Sequence, residues 1–395
     1  MTTTSRRAVP LYLLGGGLSL LGNSAIGIVL PWLVISRTGD LSVAALVATA
    51  AGIAAVPATL WAGRLADRFG ARRVAVAADL GSAASVAALA VVDGIWGLTT
   101  TWFIVLGVAG ALFDVPGMTA RQSLLADVAE KGGAAVDTVA SAFQGSFSLA
   151  LLVGPAITGL LLSHLEPIDV VWVTAACSLG AALATWWVPV ANPTHGAADQ
   201  AEARGGWAVI GSDRRLQATL VISFGASLVV PPLMAVVLPG HFAMIGRPGA
   251  FGVTVSVFAV GVIVGSVAYA FIAKRSRLAA YLVAMGAMAG GLAVIAGLGP
   301  VVVIAVGMAC VGAGSGLYGP VWNVFVAEQV DPRSRARVLS WMTALTLVAG
   351  PLGLGALSLF LIVGDLETAA VVIAALWAVI AVFAVASPSA RAVAR

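Results

Sequence analysis

Charge is what this chain has least of. Lys, Arg, Asp and Glu together make up 10% of its 395 residues, where a soluble domain carries roughly a quarter. With 60% of the residues hydrophobic, most of the chain has no polar face to offer water, and the relevant solvent is a bilayer. Cysteine is nearly absent: Cys177 and Cys310 both fall inside apolar runs and read as small packing residues, so no disulfide framework is expected. The three histidines, His164, His195 and His241, sit in or beside different connectors, without metal-ligand spacing. No G-x-x-x-x-G-K-[ST] occurs, so ATP is not the direct energy source. Neither a nucleophile–base pairing nor a dinucleotide-binding loop stands out. The glycine-rich "GGGLSLLG" (15–22) opens a membrane run and reads as helix packing. No cofactor, metal or enzymatic activity is expected.

What the chain does have is long apolar runs. At about 20 residues per spanning helix, they predict spans at 10–36, 41–62, 74–92, 98–118, 134–163, 170–190, 216–239, 250–272, 279–297, 301–326, 338–363 and 368–387. The expected class is thus an all-α membrane protein of twelve transmembrane helices. The glycines and prolines inside these runs are compatible with membrane helices, where small residues let backbones approach. The opening "MTTTSRRAVP", followed by a run of more than 20 residues, reads as a retained first helix; a cleaved signal would have a shorter core.

Basic residues are distributed unevenly. Nineteen of the 21 Lys and Arg fall in the termini and in every second connector, and only Arg37 and Arg247 fall on the other side. This split places both termini in the cytoplasm. The net charge of +4 is therefore a topological marker and implies no nucleic-acid partner. The polar stretch 191–215 divides the chain into two six-span blocks, 1–190 and 216–395. Gly63, Arg72 and Arg73 recur as Gly265, Lys274 and Arg275, each 202 positions on. "DVPG" around Pro116 is echoed by "YGPV" around Pro320, and "GPAITG" (154–159) by "GPLGLG" (350–355). Two related bundles joined by a cytoplasmic linker suit rocking about a central site.

"GRLADRFGARR" (63–73) concentrates five charges in eleven positions. Gly63, Asp67, Arg68, Gly70, Arg72 and Arg73 fit G-x-x-x-D-R-x-G-x-R-R, and on these residues the chain resembles the major facilitator superfamily over essentially its whole length. "VAADL" (76–80), "DVPGMTARQSLLADV" (114–128) and the helix-packing triplet Gly154, Pro155 and Gly159 are similar to its drug and siderophore exporter branch, which includes macrolide-efflux and enterobactin-export proteins. Thr158 departs from the exporter signature, where a glycine is usual. The resemblance implies two pseudo-symmetric six-helix bundles, usually working as a monomer. It also implies a gating role for the loop when the protein faces outward, with Asp67 accepting hydrogen bonds from an arginine near the end of helix 4, a pair that opening inward would break. Arg121 is the expected partner.

Only Asp79 and Asp114 fall well within predicted spans, and either would cost about 2.5–3.5 kcal/mol at the bilayer centre. Asp114 lies about a turn from the end of helix 4, with Arg121 seven positions later on the same face. It reads either as a proton-coupling residue or as a static partner of Arg121. Asp79, roughly 9 Å beyond Arg73, is a second candidate for proton coupling or for steadying the gate. In the superfamily helices 1, 4, 7 and 10 line the cavity, which nominates Asn23, Tyr318, Trp322 and Asn323, with Gln144 from helix 5. No lysine or arginine lies deep in these predicted spans, which argues against strongly anionic cargo. The expected function is proton-coupled efflux of an amphipathic small molecule such as a drug or natural product. An importer or facilitator of the same fold stays open, and a non-transporting sensor or scaffold is a remote alternative.

Overall fold

The structure, a computed structural model, describes residues 5–190, 210–330 and 332–394, apart from the side chains of 323, 327, 329, 332–337, 340 and 394. Twelve of its helices are long and apolar enough to cross a membrane. They are α1 (Ala8–Thr38), α2 (Leu41–Phe69), α3 (Ala71–Ile95), α4 (Thr100–Gly132), α5 (Val136–His164) and α6 (Pro167–Trp186), then α7 (Arg214–Met244), α8 (Pro248–Ile272), α9 (Arg277–Ala296), α10 (Val301–Gln329), α11 (Pro332–Phe360) and α12 (Leu366–Ala386). Among the described residues there is no strand. Most of the 191–215 linker lies outside the described residues.

The chain forms two compact units. The first comprises α1–α6 and the segment Arg247–Gly252 at the start of α8; the second comprises α7 and the rest of the chain from Val253. Inside the first, α3 packs on α4 and α6, α1 on α5 and α6, and α2 on α4. Close approach comes from missing side chains. A Cβ at Gly15 would stand 2.6 Å from Thr185 Oγ1, and one at Gly154 would stand 2.6 Å from Ser24 Oγ. Gly159 likewise faces the backbone of Pro248 and Gly252, at 2.9 Å. Pro155 is buried between these two glycines. In the second unit α9 packs on α10 and α12, and α7 on α11.

In two helices, α7 and α4, a departure from the expected span has an identifiable cause. In α7, Pro231 and Pro232 remove two successive backbone donors, and the helix answers with a π segment at Leu233–Val237 before resuming to Met244. In α4 the apolar run ends near residue 118, but the helix continues to Gly132, where a left-handed glycine (Gly133, φ 64°) stops it. At 33 residues α4 is about 50 Å long, well beyond the hydrocarbon thickness of about 30 Å. Arg121 consequently sits inside a helix, three turns before its end, and not past the end as the hydropathy alone implies.

Candidate functional site: a buried ionic cluster

α3 presents Val74, Ala78, Asp79, Ser82, Ser85 and Val86 on one buried face, a helical repeat of small residues with one carboxylate among them. The small residues let α4 come close: a Cβ at Gly117 would lie 2.9 Å from that of Ala78. The approach brings Asp79, 4% exposed, against Arg121, 3% exposed. Arg121 Nη2 donates to Asp79 Oδ2 in a buried ion pair. Ser19 of α1 closes the triangle. Its hydroxyl accepts from Arg121 Nη1 at 2.8 Å and donates to Asp79 Oδ1 at 3.1 Å. Tyr12, also of α1, donates to the Arg121 carbonyl at 3.0 Å. Arg121 Nε is buried without a hydrogen-bond partner. Around this end of the unit lies an apolar cluster that includes Tyr12, Leu124, Val128, Phe143 and Val188.

Asp114 stands about two helical turns from Arg121 on α4, half-buried, beside Ser82 of α3 and within reach of the charges of both Asp79 and Arg121. The cluster thus holds one guanidinium and two carboxylates. It is electrically balanced with one proton bound and carries a net negative charge without it. A solitary buried charge is costly, whereas a hydrogen-bonded pair is tolerated. Asp79 and Arg121 match each other's charge, and Asp114 is the carboxylate of the cluster without an ion-pair partner among the described residues.

This geometry corrects three expectations. In this structure the Arg121 guanidinium is taken up by Asp79 and Ser19 and is not bonded to Asp67, the partner expected for it in the outward-facing state. Nor is it hydrogen-bonded to Asp114. A basic residue does lie deep within a span, namely Arg121, although its charge is already matched. The hydropathy profile missed the pairing because it sought a counter-charge for Asp79 only within its own helix. The usable signal was the solitary buried carboxylate itself, which requires a cation from somewhere in the bundle.

The loop residues lie apart from that cluster. Gly70 ends α2 and begins α3 with φ 88° and ψ 132°, a backbone conformation suited to glycine, so the two helices join without a connector. Asp67 is half-buried in the last turn of α2. Arg68 is exposed, its guanidinium 5.3 Å above the Phe69 ring. Arg72 reaches back to the Val188 carbonyl at 3.0 Å. Arg73 is exposed, and Gly63 faces open space.

Of the nominated cavity residues, Asn23 is half-buried on α1 and Gln144 is exposed on α5. In the second unit the Tyr318 hydroxyl of α10 lies 3.3 Å from the Ser223 hydroxyl of α7. Trp322 is half-buried, its ring 6.1 Å from that of Phe325. The side chain of Asn323 lies outside the described residues.

Twelve helices long and apolar enough to cross a membrane, with an ion pair buried among them, describe a multi-pass integral membrane protein. The family model of the Major Facilitator Superfamily matches residues 12–354, and the chain belongs to that superfamily. It is 32% identical to "Multidrug efflux pump Tap" of Mycolicibacterium fortuitum over 364 residues, 90% of this chain and 89% of that one. The protein of the same name from Mycobacterium tuberculosis is 32% identical over 90% of this chain and 87% of its own. Among solved structures, the fold is similar to the nucleoside transporter NupG, with TM-score 0.80 and 15% identity over 97% and 99% of the two chains. It is also similar to a D-xylose-proton symporter, with TM-score 0.72 and 13% identity over 96% and 97%.

Proposed function

We propose that this chain is a proton-driven exporter of amphipathic small molecules, working as a monomer in the cell membrane with both termini in the cytoplasm. The observation that carries this reading is the 32% identity, along nine-tenths of the chain, to efflux pumps. The buried cluster supplies a means of coupling. A proton arriving from outside occupies the Asp114 carboxyl and leaves Asp79 and Arg121 as a neutral pair. Its release to the cytoplasm restores the net negative charge, which favours a rearrangement that readmits water. Each proton moving down the membrane potential contributes about 2.3 kcal/mol per 100 mV.

Gly63, Asp67, Arg68, Gly70, Arg72 and Arg73 are proposed as the conformational switch, with Arg121 acting on it from within the first unit. Asp79 holds Arg121 in place, and Gly154, Pro155 and Gly159 keep α5 close to its neighbours during the motion. Asn23, Gln144, Tyr318, Trp322 and Asn323 are proposed as polar and aromatic anchors in the cargo cavity, a composition suited to amphipathic molecules. With the Arg121 charge matched by Asp79, no deep cation is left for a strongly anionic cargo.

The test is transport in liposomes under an imposed pH gradient and voltage, run beside drug accumulation in an efflux-deficient host. Efflux that collapses with a protonophore is the expected result. Flux indifferent to both gradients overturns the coupling, and uptake in place of extrusion overturns the direction.

A further inference from the structure

The first unit carries an apolar groove whose floor and walls take no part in the coupling or the gate proposed above, although it borders the gate turn. A cavity of about 400 Å³ lies among the end of α2, the start of α3 and the middle of α4. Its floor is buried and apolar, formed by Val74, Ala78 and Pro116. Its walls are large side chains left open: Phe69 is 50% exposed and Phe113 41%. One charged residue lines it, the exposed Arg73. A second guanidinium stands at the same rim, because Arg68 is stacked over the Phe69 ring that forms the wall. The remaining arginine of this turn, Arg72, is tied to the Val188 carbonyl.

An apolar slot of this size accommodates a slender hydrocarbon, and two guanidiniums at one end of it accept an anionic oxygen group. The turn lies on the side that carries nineteen of the 21 basic residues, the side that faces the cytoplasmic leaflet. That leaflet is where anionic phospholipids attract juxtamembrane arginines. We infer that this groove binds one anionic phospholipid of the cytoplasmic leaflet, an acyl chain lying against Val74, Ala78 and Pro116 and the headgroup phosphate resting on Arg73 and Arg68. The site is placed to matter. Ala78 precedes Asp79 and Phe113 precedes Asp114, so the bound chain backs the helix faces that hold the ionic cluster. The Phe113 ring is itself held over Gly81, where a Cβ would come within 2.4 Å of it.

Native mass spectrometry of the full chain tests this, with phosphatidylglycerol and phosphatidylcholine of identical acyl chains as probes. The parent protein should retain one phosphatidylglycerol more firmly than phosphatidylcholine. Arg73→Gln should reduce that headgroup preference about fivefold, the effect of one arginine near an anionic surface. Ala77→Trp, which fills the groove from its exposed edge, should weaken retention of both lipids. Arg275→Gln is the control, since Arg275 stands 202 positions later at the corresponding turn and lines no part of this groove. Equal retention of the two lipids by the parent protein overturns the proposal. So does unchanged phosphatidylglycerol binding in Arg73→Gln and Ala77→Trp, or a loss in Arg275→Gln as large as in Arg73→Gln. Thermal melts of each variant separate misfolding from lost binding, and Ala77→Trp keeps the test open if Arg73→Gln does not fold.

Discussion

Asp79 and Asp114 of the first unit correspond to Tyr281 and Tyr318 of the second, by the same offsets of 202 and 204 positions that relate Gly63 to Gly265 and Pro116 to Pro320. Arg121, carried 204 positions on, corresponds to Phe325. The two units thus place polar atoms at equivalent points, but only the first ionises them. Tyr281 is fully buried and donates to the Ala384 carbonyl at 3.1 Å, and Tyr318 meets Ser223. A phenol keeps a hydrogen bond at small desolvation cost, whereas a carboxylate needs a cation brought in with it. One repeat has accepted that cost and the other has not. The difference separates a half with a buried ionic cluster from a half that keeps neutral hydroxyls at the matching points.

The largest effect should follow from removing the cation. Arg121→Leu leaves Asp79 buried with only the Ser19 hydroxyl against it, and breaking a buried pair from one side costs about 3–5 kcal/mol. Phe325→Leu, the matching change in the second unit, should cost about 1 kcal/mol. Chemical denaturation in detergent measures both. The double variant Asp79→Leu/Arg121→Leu should recover much of the lost stability while transport stays abolished, because apolar packing can replace a buried pair but cannot carry its charge. Two equal single-variant losses would erase the contrast between the units.

Next comes the division of labour itself. Asp114→Asn should fold normally and lose proton-driven efflux by an order of magnitude or more, with downhill exchange of cargo retained. Tyr318→Phe should keep the proton dependence and change only the apparent affinity for cargo, by a few-fold. Paired measurements of proton and drug flux in liposomes decide it. If the tyrosine variant loses coupling and the aspartate variant keeps it, the assignment is reversed.

Much of this was legible in the sequence. Span number and the repeat follow from hydropathy and from offsets such as Gly63 to Gly265. Asp79 and Asp114 stood out because a carboxylate in a membrane run is rare. The partner of Asp79 did not. Arg121 is 42 positions away in a stretch where hydropathy falls off although the helix continues, and a profile that averages over a window registers the fall alone. Ser19 and Tyr12 were hidden for a different reason. A serine or tyrosine on a membrane helix is unremarkable until the neighbouring helix shows what it faces. The π segment after Pro231 and Pro232 was similarly out of reach, since two prolines announce a disturbance without specifying its geometry.

The repeat-related glycines Gly63 and Gly265 differ in how closely a neighbouring helix approaches them. In the second, a Cβ on Gly265 of α8 would fall 2.1 Å from the Ala313 carbonyl of α10, and one on Gly316 would fall 2.1 Å from the Val262 carbonyl. Gly63, the repeat partner of Gly265, has nothing within 4 Å. Gly265→Ala should therefore force the helices apart at about 1–3 kcal/mol, while Gly63→Ala should stay within about 0.5 kcal/mol of the parent. The glycine in the same motif position then serves close packing in one half and meets open space in the other, where a transport assay on Gly63→Ala tests the gating role proposed for it.

The smallest effect is one in which the halves should agree. Asp40 begins α2 and Asp365 begins α12, each accepting a backbone N–H, from Ser42 at 2.8 Å and Thr368 at 2.9 Å. The hydrogen bonds from Ser42 and from Thr368 hold the two carboxyls below the ordinary carboxylate range. A carboxyl whose folded value is depressed stabilises the fold above its unfolded value, and that contribution disappears as pH falls through the lowered one. Asp40→Ala should cost about 1 kcal/mol at neutral pH. The penalty should shrink in acid, below the ordinary carboxylate value, where the parent has lost the same interaction. Asp365→Ala should move in the same direction with the same pH dependence. Caps are local devices that depend on one turn of helix, so they are indifferent to whether the bundle behind them carries charge. A cap penalty that persisted unchanged into acid would mean that the side chain acts by packing and not by its charge.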